Sequence, residues 1–293
     1  MRFFHGRNKA FMSHNHQKKV AVVNDYSGFG RCSLAVSLPI ISAMGMQCCP
    51  LPTAIFSNHT GFSSYYWTDF TSHMTAYMDE WEKLGLRFDA ISTGFLGSQA
   101  QCDIVLDFLR RFKTENTIAV IDPVMGDNGK LYATYSRELA ESMRVLTAHA
   151  DILTPNLTEL CVLTGVDYRE DFSQQELADL CAYLSDQGPQ KIVISGLSLD
   201  EGTSLGNFVY EKRQSPLLLR SKKIGECRSG TGDVFASIIT GCAARGQDFR
   251  SSVQLASDFI SKAVRRTIEL DIPKTDGVCF EEFLIDLIPE GLK

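Results

Sequence analysis

The chain has 293 residues, 44% hydrophobic and 22% charged, with a formal net charge of −6. It is long enough to bury a substantial core, and its composition is that of an ordinary globular protein. The acidic balance gives no general field for holding nucleic acid or an anionic membrane surface, and no run approaches the ~18 apolar residues of a membrane helix.

Residues 1–17 show no periodicity, although His5, His14 and His16 fall there. They are expected to be a disordered tail, with Met12 an alternative start. From Lys18 the pattern changes. Val20-Ala21-Val22-Val23 is a short apolar strand, Asn24 to Gly30 reads as a glycine loop, and 33–44 carries small and apolar residues at helical spacing. The unit recurs. A strand at 90–92 precedes Gly94 and Gly97 and a helix over 99–113. Ile118–Ile121 is a strand ending in Asp122-Pro123. Ile152-Leu153 ends in Thr154-Pro155-Asn156 and a helix. A helix over 173–186 leads into a strand at 191–194 that ends in Ser195-Gly196. A hairpin is expected over 205–210 and 215–221, and two long helices over 232–245 and 250–268.

Continuous apolar strands alternating with amphipathic helices predict an α/β fold, a mostly parallel sheet with helices on both faces. No composition break marks a linker, so 18–293 reads as one domain. In open α/β sheets a ligand sits beyond the carboxyl ends of the strands. Attention therefore falls on Asn24 and Asp25, Ser92 to Gly94, Asp122, Thr154 to Asn156, and Ser195-Gly196.

The nine cysteines are odd in number, form no C-x-x-C pair and lie mostly in apolar stretches such as Leu160-Cys161-Val162. They read as reduced, buried hydrophobes. With no unbroken apolar leader at the N-terminus, the expected compartment is the cytoplasm.

The strongest chemical motif is Arg228-Ser229-Gly230-Thr231-Gly232-Asp233 before the apolar stretch Val234–Ala243. Glycines let the backbone approach a ligand, and a helix start offers unpaired N–H groups and a positive dipole end. That suits a transferring phosphate. Asp233 could equally be a helix-capping aspartate. No Walker A motif is present.

Taken with Asn156-Leu157-Thr158-Glu159, Asp122-Pro123-Val124-Met125-Gly126-Asp127 and Phe56-Ser57-Asn58-His59-Thr60-Gly61, the chain resembles the ribokinase-like superfamily. Within it, the chain resembles the vitamin B6 kinases, over roughly 19–270. The resemblance implies ATP-dependent phosphorylation of the hydroxymethyl group of pyridoxal, pyridoxine or pyridoxamine. A hydroxymethylpyrimidine kinase is the alternative acceptor reading, and a catalytically silent ligand-binding protein of the same fold is the third.

The resemblance assigns Asp233 as the catalytic base and Gly230, Thr231 and Gly232 as the anion hole. Asp122, Asp127 and Glu159 would be the acidic group around Mg²⁺, with hard oxygen donors that suit it. Thr154, Asn156 and Ser195 would lie on the nucleotide side, with Thr231 and Gly232. His59 and Thr60 would sit beside the acceptor ring, with Ala54 and Phe56 as its apolar wall. The same resemblance implies a homodimer; a monovalent cation such as K⁺ is a further candidate cofactor that the sequence leaves open, and the acidic balance points to no nucleic-acid or membrane partner. This sequence departs from the pattern on the acceptor side alone. Asp25 stands where the family has a ring-contacting serine, Phe95 where a tyrosine is expected, and Cys32 where an apolar contact is common.

Overall fold

Strands rich in Val, Ile and Ala, buried on both faces, must be covered by helices on both sides. The computed structural model describes residues 13–132, 135–226 and 228–292. In chain order the first half runs β1 (Lys19–Phe29), α1 (Ser33–Ala43), β2 (Gln47–Asn58), β3 (Trp67–Asp69), α2 (Thr71–Lys83), β4 (Ala90–Thr93), α3 (Gln99–Phe112) and β5 (Ile118–Ile121). A two-stranded flap, β6 (Gly126–Asp127) and β7 (Lys130–Leu131), precedes α4 (Arg137–Thr147). Then follow β8 (Ile152–Leu153), α5 (Leu157–Thr164), α6 (Gln174–Ser185), β9 (Lys191–Leu199), β10 (Ser204–Glu211), β11 (Leu217–Lys222), α7 (Thr231–Ala244) and α8 (Phe249–Glu269).

The main sheet has nine strands in the order β11-β10-β9-β8-β5-β4-β1-β2-β3. The central pairs, from β2 through β1, β4, β5 and β8 to β9, are parallel. Antiparallel strands close both edges. Alternate residues of one strand feed different cores: Ala21 and Val23 pack with α2 to α6, and Val20 and Val22 pack with α1, α7 and α8. This is the ribokinase-like α/β arrangement expected from the sequence.

The expected helices and the β10–β11 hairpin appear within a few residues of their expected bounds. The Asn24–Gly30 loop does not: β1 continues through it to Phe29, pairing Tyr26 with Ile55, Ser27 with Phe56 and Phe29 with Asn58. The glycines there signalled a turn, but pairing with the long β2 overrides local propensity. Of the expected tail, residues 1–12 lie outside the described residues. Asn15 donates to the Gly85 carbonyl at 3.1 Å and accepts from the Arg87 N–H at 3.0 Å. No helix among the described residues is long and apolar enough to cross a membrane. Their eight cysteines are free.

Candidate active site

The site lies at the carboxyl ends of β1, β4, β5 and β8, facing the start of α7. Gly230 is the N-cap of α7, with φ of 79°. A side chain there would be strained, and its Cβ would stand 1.7 Å from the Arg31 carbonyl oxygen. Only glycine allows the two loops this approach. The first turn is therefore pressed against the end of β1. A Cβ on Gly232 would meet nothing within 4 Å, so the space before the first-turn N–H groups is open. The Thr231 hydroxyl ties the turn down by donating to the Arg228 carbonyl at 3.1 Å.

Asp233 does not serve as the N-cap; it lies in the first turn of α7. Its Oδ1 accepts from Asn24 Nδ2 at 3.1 Å, joining residues 209 positions apart. Asn24 is fixed on its other side: its Oδ1 accepts from the Asp25 N–H at 2.9 Å and the Phe95 N–H at 2.8 Å. Those two donors determine which way the amide faces. Gly94 makes room for it, since a Cβ there would meet Asn24 Nδ2 at 2.4 Å. Burial raises the Asp233 carboxyl above its usual range. The Ser33 N–H, the Asn24 amide and nearby His59 oppose the rise. Asn24 was singled out only as a strand-end polar residue; a helix-bound partner so distant in sequence leaves no local signal.

Asp25 is not an open ring contact. It is 6% exposed, and its Oδ1 accepts from the Ser33 hydroxyl at 2.6 Å. Alternation along β1 would send Asn24 and Asp25 to opposite faces. The register shifts between Asn24 and Tyr26, and this bulge brings Asp25 round to the α1 side, where Ser33 lies. Burial, with Asp233 adding to it, pushes the Asp25 carboxyl up to about 7 against the Ser33 bond. The same surroundings push the buried Cys32 thiol up to about 12, burial first and the two aspartates after it. That thiol is a neutral wall, not a nucleophile.

Asp122, directly after β5, accepts from Thr154 Oγ1, directly after β8, at 3.0 Å. Burial, and then Asp233, pushes Asp122 up to about 8. Asp127 is engaged by Asn128, whose backbone and side-chain nitrogens donate to its two oxygens at 2.8 and 2.9 Å. Glu159 is buried and occupied as well. Its oxygens accept from the Asn156 N–H at 2.8 Å and the Met125 N–H at 3.1 Å, in a reciprocal capping box with Asn156. Burial holds it well above the usual carboxylate range, with Asp122 adding to the effect. Among the described residues no three His, Cys, Asp or Glu side chains stand close enough to cage a metal. The Asn156 side chain also donates to the Gly126 carbonyl at 2.7 Å, pinning the flap over the start of α5. Ser195 bridges to Asn156 across the neighbouring strand end.

Among the residues expected to contact the acceptor, His59 Nε2 contacts the Thr275 carbonyl at 2.6 Å, and Nδ1 accepts from the Gly61 N–H at 3.1 Å. The ring is thus the Nε2–H tautomer, bridging the 59–61 turn to the 275 segment. Thr60 is exposed beside it. Ala54 is buried within β2, and Phe56 stacks on Trp67 with ring centroids 5.7 Å apart. Phe95 is held by its backbone: its N–H binds Asn24 and its carbonyl accepts from Thr53 Oγ1 at 3.1 Å. The structure thus gathers Asn24, Asp25, Phe95, Asp122, Thr154 and Asp233 at one end of the sheet. It commits His59, Asp127 and Glu159 to partners within the chain.

The chain and its fold are similar to those of known kinases. A pyridoxal kinase from Arabidopsis thaliana is 28% identical over 238 residues, 78% of this chain and 75% of that one. A Bacteroides thetaiotaomicron protein, provisionally assigned as a phosphomethylpyrimidine kinase and crystallised with pyridoxal, is 39% identical. It superposes with a TM-score of 0.89 over 92% of this chain and 96% of that one. A pyridoxal kinase from Lactobacillus plantarum is 26% identical with a TM-score of 0.84, over 92% and 96% of the two chains. The phosphomethylpyrimidine kinase family model matches residues 38–277. That span carries the helix-start glycines, Asp233, Asp122 and the Asn156–Glu159 box, and the chain therefore belongs to the phosphomethylpyrimidine kinase family.

Proposed function

We propose that this protein transfers the γ-phosphoryl group of ATP to the hydroxymethyl group of a B6 vitamer, giving the 5′-phosphate. The observation that carries this reading is Asp233: a carboxylate in the first turn of α7, aimed by Asn24, beside an open, glycine-lined row of backbone N–H groups. An acceptor hydroxyl placed against the Asp233 carboxylate loses its proton there as the oxygen attacks phosphorus. The N–H groups of Thr231 and Gly232 stabilise the charge spread over the transferring oxygens. Asn24 keeps the base in one orientation, and Thr154, Asn156 and Ser195 line the nucleotide side.

Mg²⁺ fits this donor set. Asp122 is a hard oxygen donor, and burial beside Asp233 raises it to about 8, so a cation there relieves an unfavourable charge. Asp122 and the phosphates would hold the ion, with Asp127 and Glu159 adding negative charge from behind. When bound, the ion neutralises the phosphates. We further place the protein in the cytoplasm as a homodimer. Supporting that, Tyr65, Tyr66 and Trp67 are 42%, 75% and 50% exposed near the β3 edge, and the described cysteines are free thiols.

The family name, and a hydroxymethylpyrimidine/phosphomethylpyrimidine kinase of Haemophilus influenzae 30% identical over 180 residues, favour hydroxymethylpyrimidine as the second acceptor. Steady-state turnover with ATP and each of pyridoxal, pyridoxine, pyridoxamine and hydroxymethylpyrimidine tests both readings. Turnover of the pyrimidine alone would replace the first with the second; turnover of none would sink both.

A further inference from the structure

Ser33 has φ of 54°, the left-handed region, at the first residue of α1. Such a conformation is strained for a non-glycine residue. Of the six non-glycine residues with positive φ among the described residues, it alone is buried, at 7% exposure. Glycine would relieve the strain, so the serine side chain has to justify itself. It does so through one short bond: its hydroxyl donates to Asp25 Oδ1 at 2.6 Å. The second Asp25 oxygen has only the Ser27 hydroxyl at 3.5 Å, the limit of a hydrogen bond, so Ser33 is the principal tether. Asn24, the residue before Asp25 on the same strand, donates to Asp233 Oδ1 at 3.1 Å. No ion pair to Asp25 or Asp233 occurs among the described residues.

We propose that Ser33 is a positioning residue for the acceptor side of the reaction: its hydroxyl, presented by a strained backbone, locks the Asp25 carboxylate in place on the strand whose Asn24 holds the base Asp233. This rests on the kinase reading above and names a device that the reading does not require. Asp25 sits on the strand that carries Asn24, and Ser33 on the helix that follows. Together with the Asn24–Asp233 bond, the link fixes β1, α1 and α7 relative to one another where an acceptor hydroxyl must meet Asp233. A glycine would relieve the strain but lose the hydroxyl, and the branched threonine side chain tolerates positive φ poorly.

The test compares Ser33→Gly, Ser33→Ala, Asp25→Ala and the double variant Ser33→Ala/Asp25→Ala, assayed well below their melting temperatures. We expect each single variant to lose roughly 10- to 100-fold in acceptor kcat/KM, the scale of a misplaced reacting group, with KM for ATP within about twofold. The double variant should lose no more than the worse single one, because the two groups act as a unit. A Ser33→Gly enzyme with wild-type acceptor kcat/KM would overturn the proposal, as would losses that multiply in the double variant. The wild-type control reads the kinase proposal separately, since absent turnover with every acceptor condemns that activity. Crystal structures of wild type and Ser33→Ala then decide the tether without turnover. An Asp25 carboxylate that leaves its position supports it, and one that stays in place refutes it.

Discussion

Replacing Asp233 with asparagine separates a base from a cap. The shape is kept: the amide oxygen introduced by Asp233→Asn can still accept from Asn24 Nδ2, which stands 3.1 Å from Asp233 Oδ1 in the wild type. The capacity to take a proton from the acceptor hydroxyl is lost. General-base catalysis is worth about 10²–10⁴-fold, or roughly 3–5 kcal/mol of barrier, so kcat should fall by that factor. Nucleotide binding should hold or tighten, because one negative charge beside the phosphates is gone. The variant should also change the pH dependence of the fold. Asp233 is among the causes that raise Asp122 to about 8 and Asp25 to about 7. Each of these carboxyls binds its proton more tightly folded than unfolded. Their contribution to stability is present below about pH 4 and is lost as pH rises toward 8. Removing the Asp233 charge weakens that loss, so Asp233→Asn should gain melting temperature at pH 8 relative to pH 5. The assays are coupled ADP release, calorimetric titration of a non-hydrolysable ATP analogue, and thermal melts at the two pH values. A variant that turns over within a few-fold of wild type would reduce Asp233 to a structural residue and remove the proposed mechanism.

Three further substitutions read the frame around the base. Gly230→Ala puts a Cβ 1.7 Å from the Arg31 carbonyl at a φ of 79°. The α7 start must move, so phosphoryl transfer should fall at least about 10²-fold, seen as reduced kcat. Glu159→Gln loses one of two buried backbone bonds and should destabilise the fold by about 1–3 kcal/mol in denaturant melts. Its Mg²⁺ half-saturation should rise as well; an unmoved stability would show that the carboxylate serves the metal rather than the capping box. Asp25→Asn keeps an acceptor for the Ser33 hydroxyl and removes a charge that burial disfavours. It should raise the melting temperature more at pH 8 than at pH 5, and equal shifts at both pH values would contradict the raised Asp25 carboxyl.

Much of this molecule can be read from its residues in order. Apolar runs such as Val20–Val23, Ala90–Ile91 and Ile118–Ile121 alternate with amphipathic helices, and that period fixes a helix-covered parallel sheet. The chemistry-bearing positions were legible as well, because polar residues directly after such strands end on one rim of the sheet. Gly230-Thr231-Gly232-Asp233 reads locally because glycine conformation and helix-start geometry depend on adjacent residues.

The long β2, with β3, α2 and α4, gave weaker local signals. Pro50, Pro52 and exposed β3 residues break the apolar pattern there. What the chain order could not give was the direction of side chains across distant elements. That Asn24 grips Asp233, that pairing with β2 puts a bulge in β1 and swings Asp25 toward Ser33, that His59 meets the Thr275 carbonyl and that Glu159 takes the Met125 N–H all depend on contacts between segments that local sequence does not join. Sequence determined which groups reach the site, since periodicity and turn chemistry are local properties. The tertiary structure alone decided where each group aims, since pairing register and packing are settled only when those segments meet.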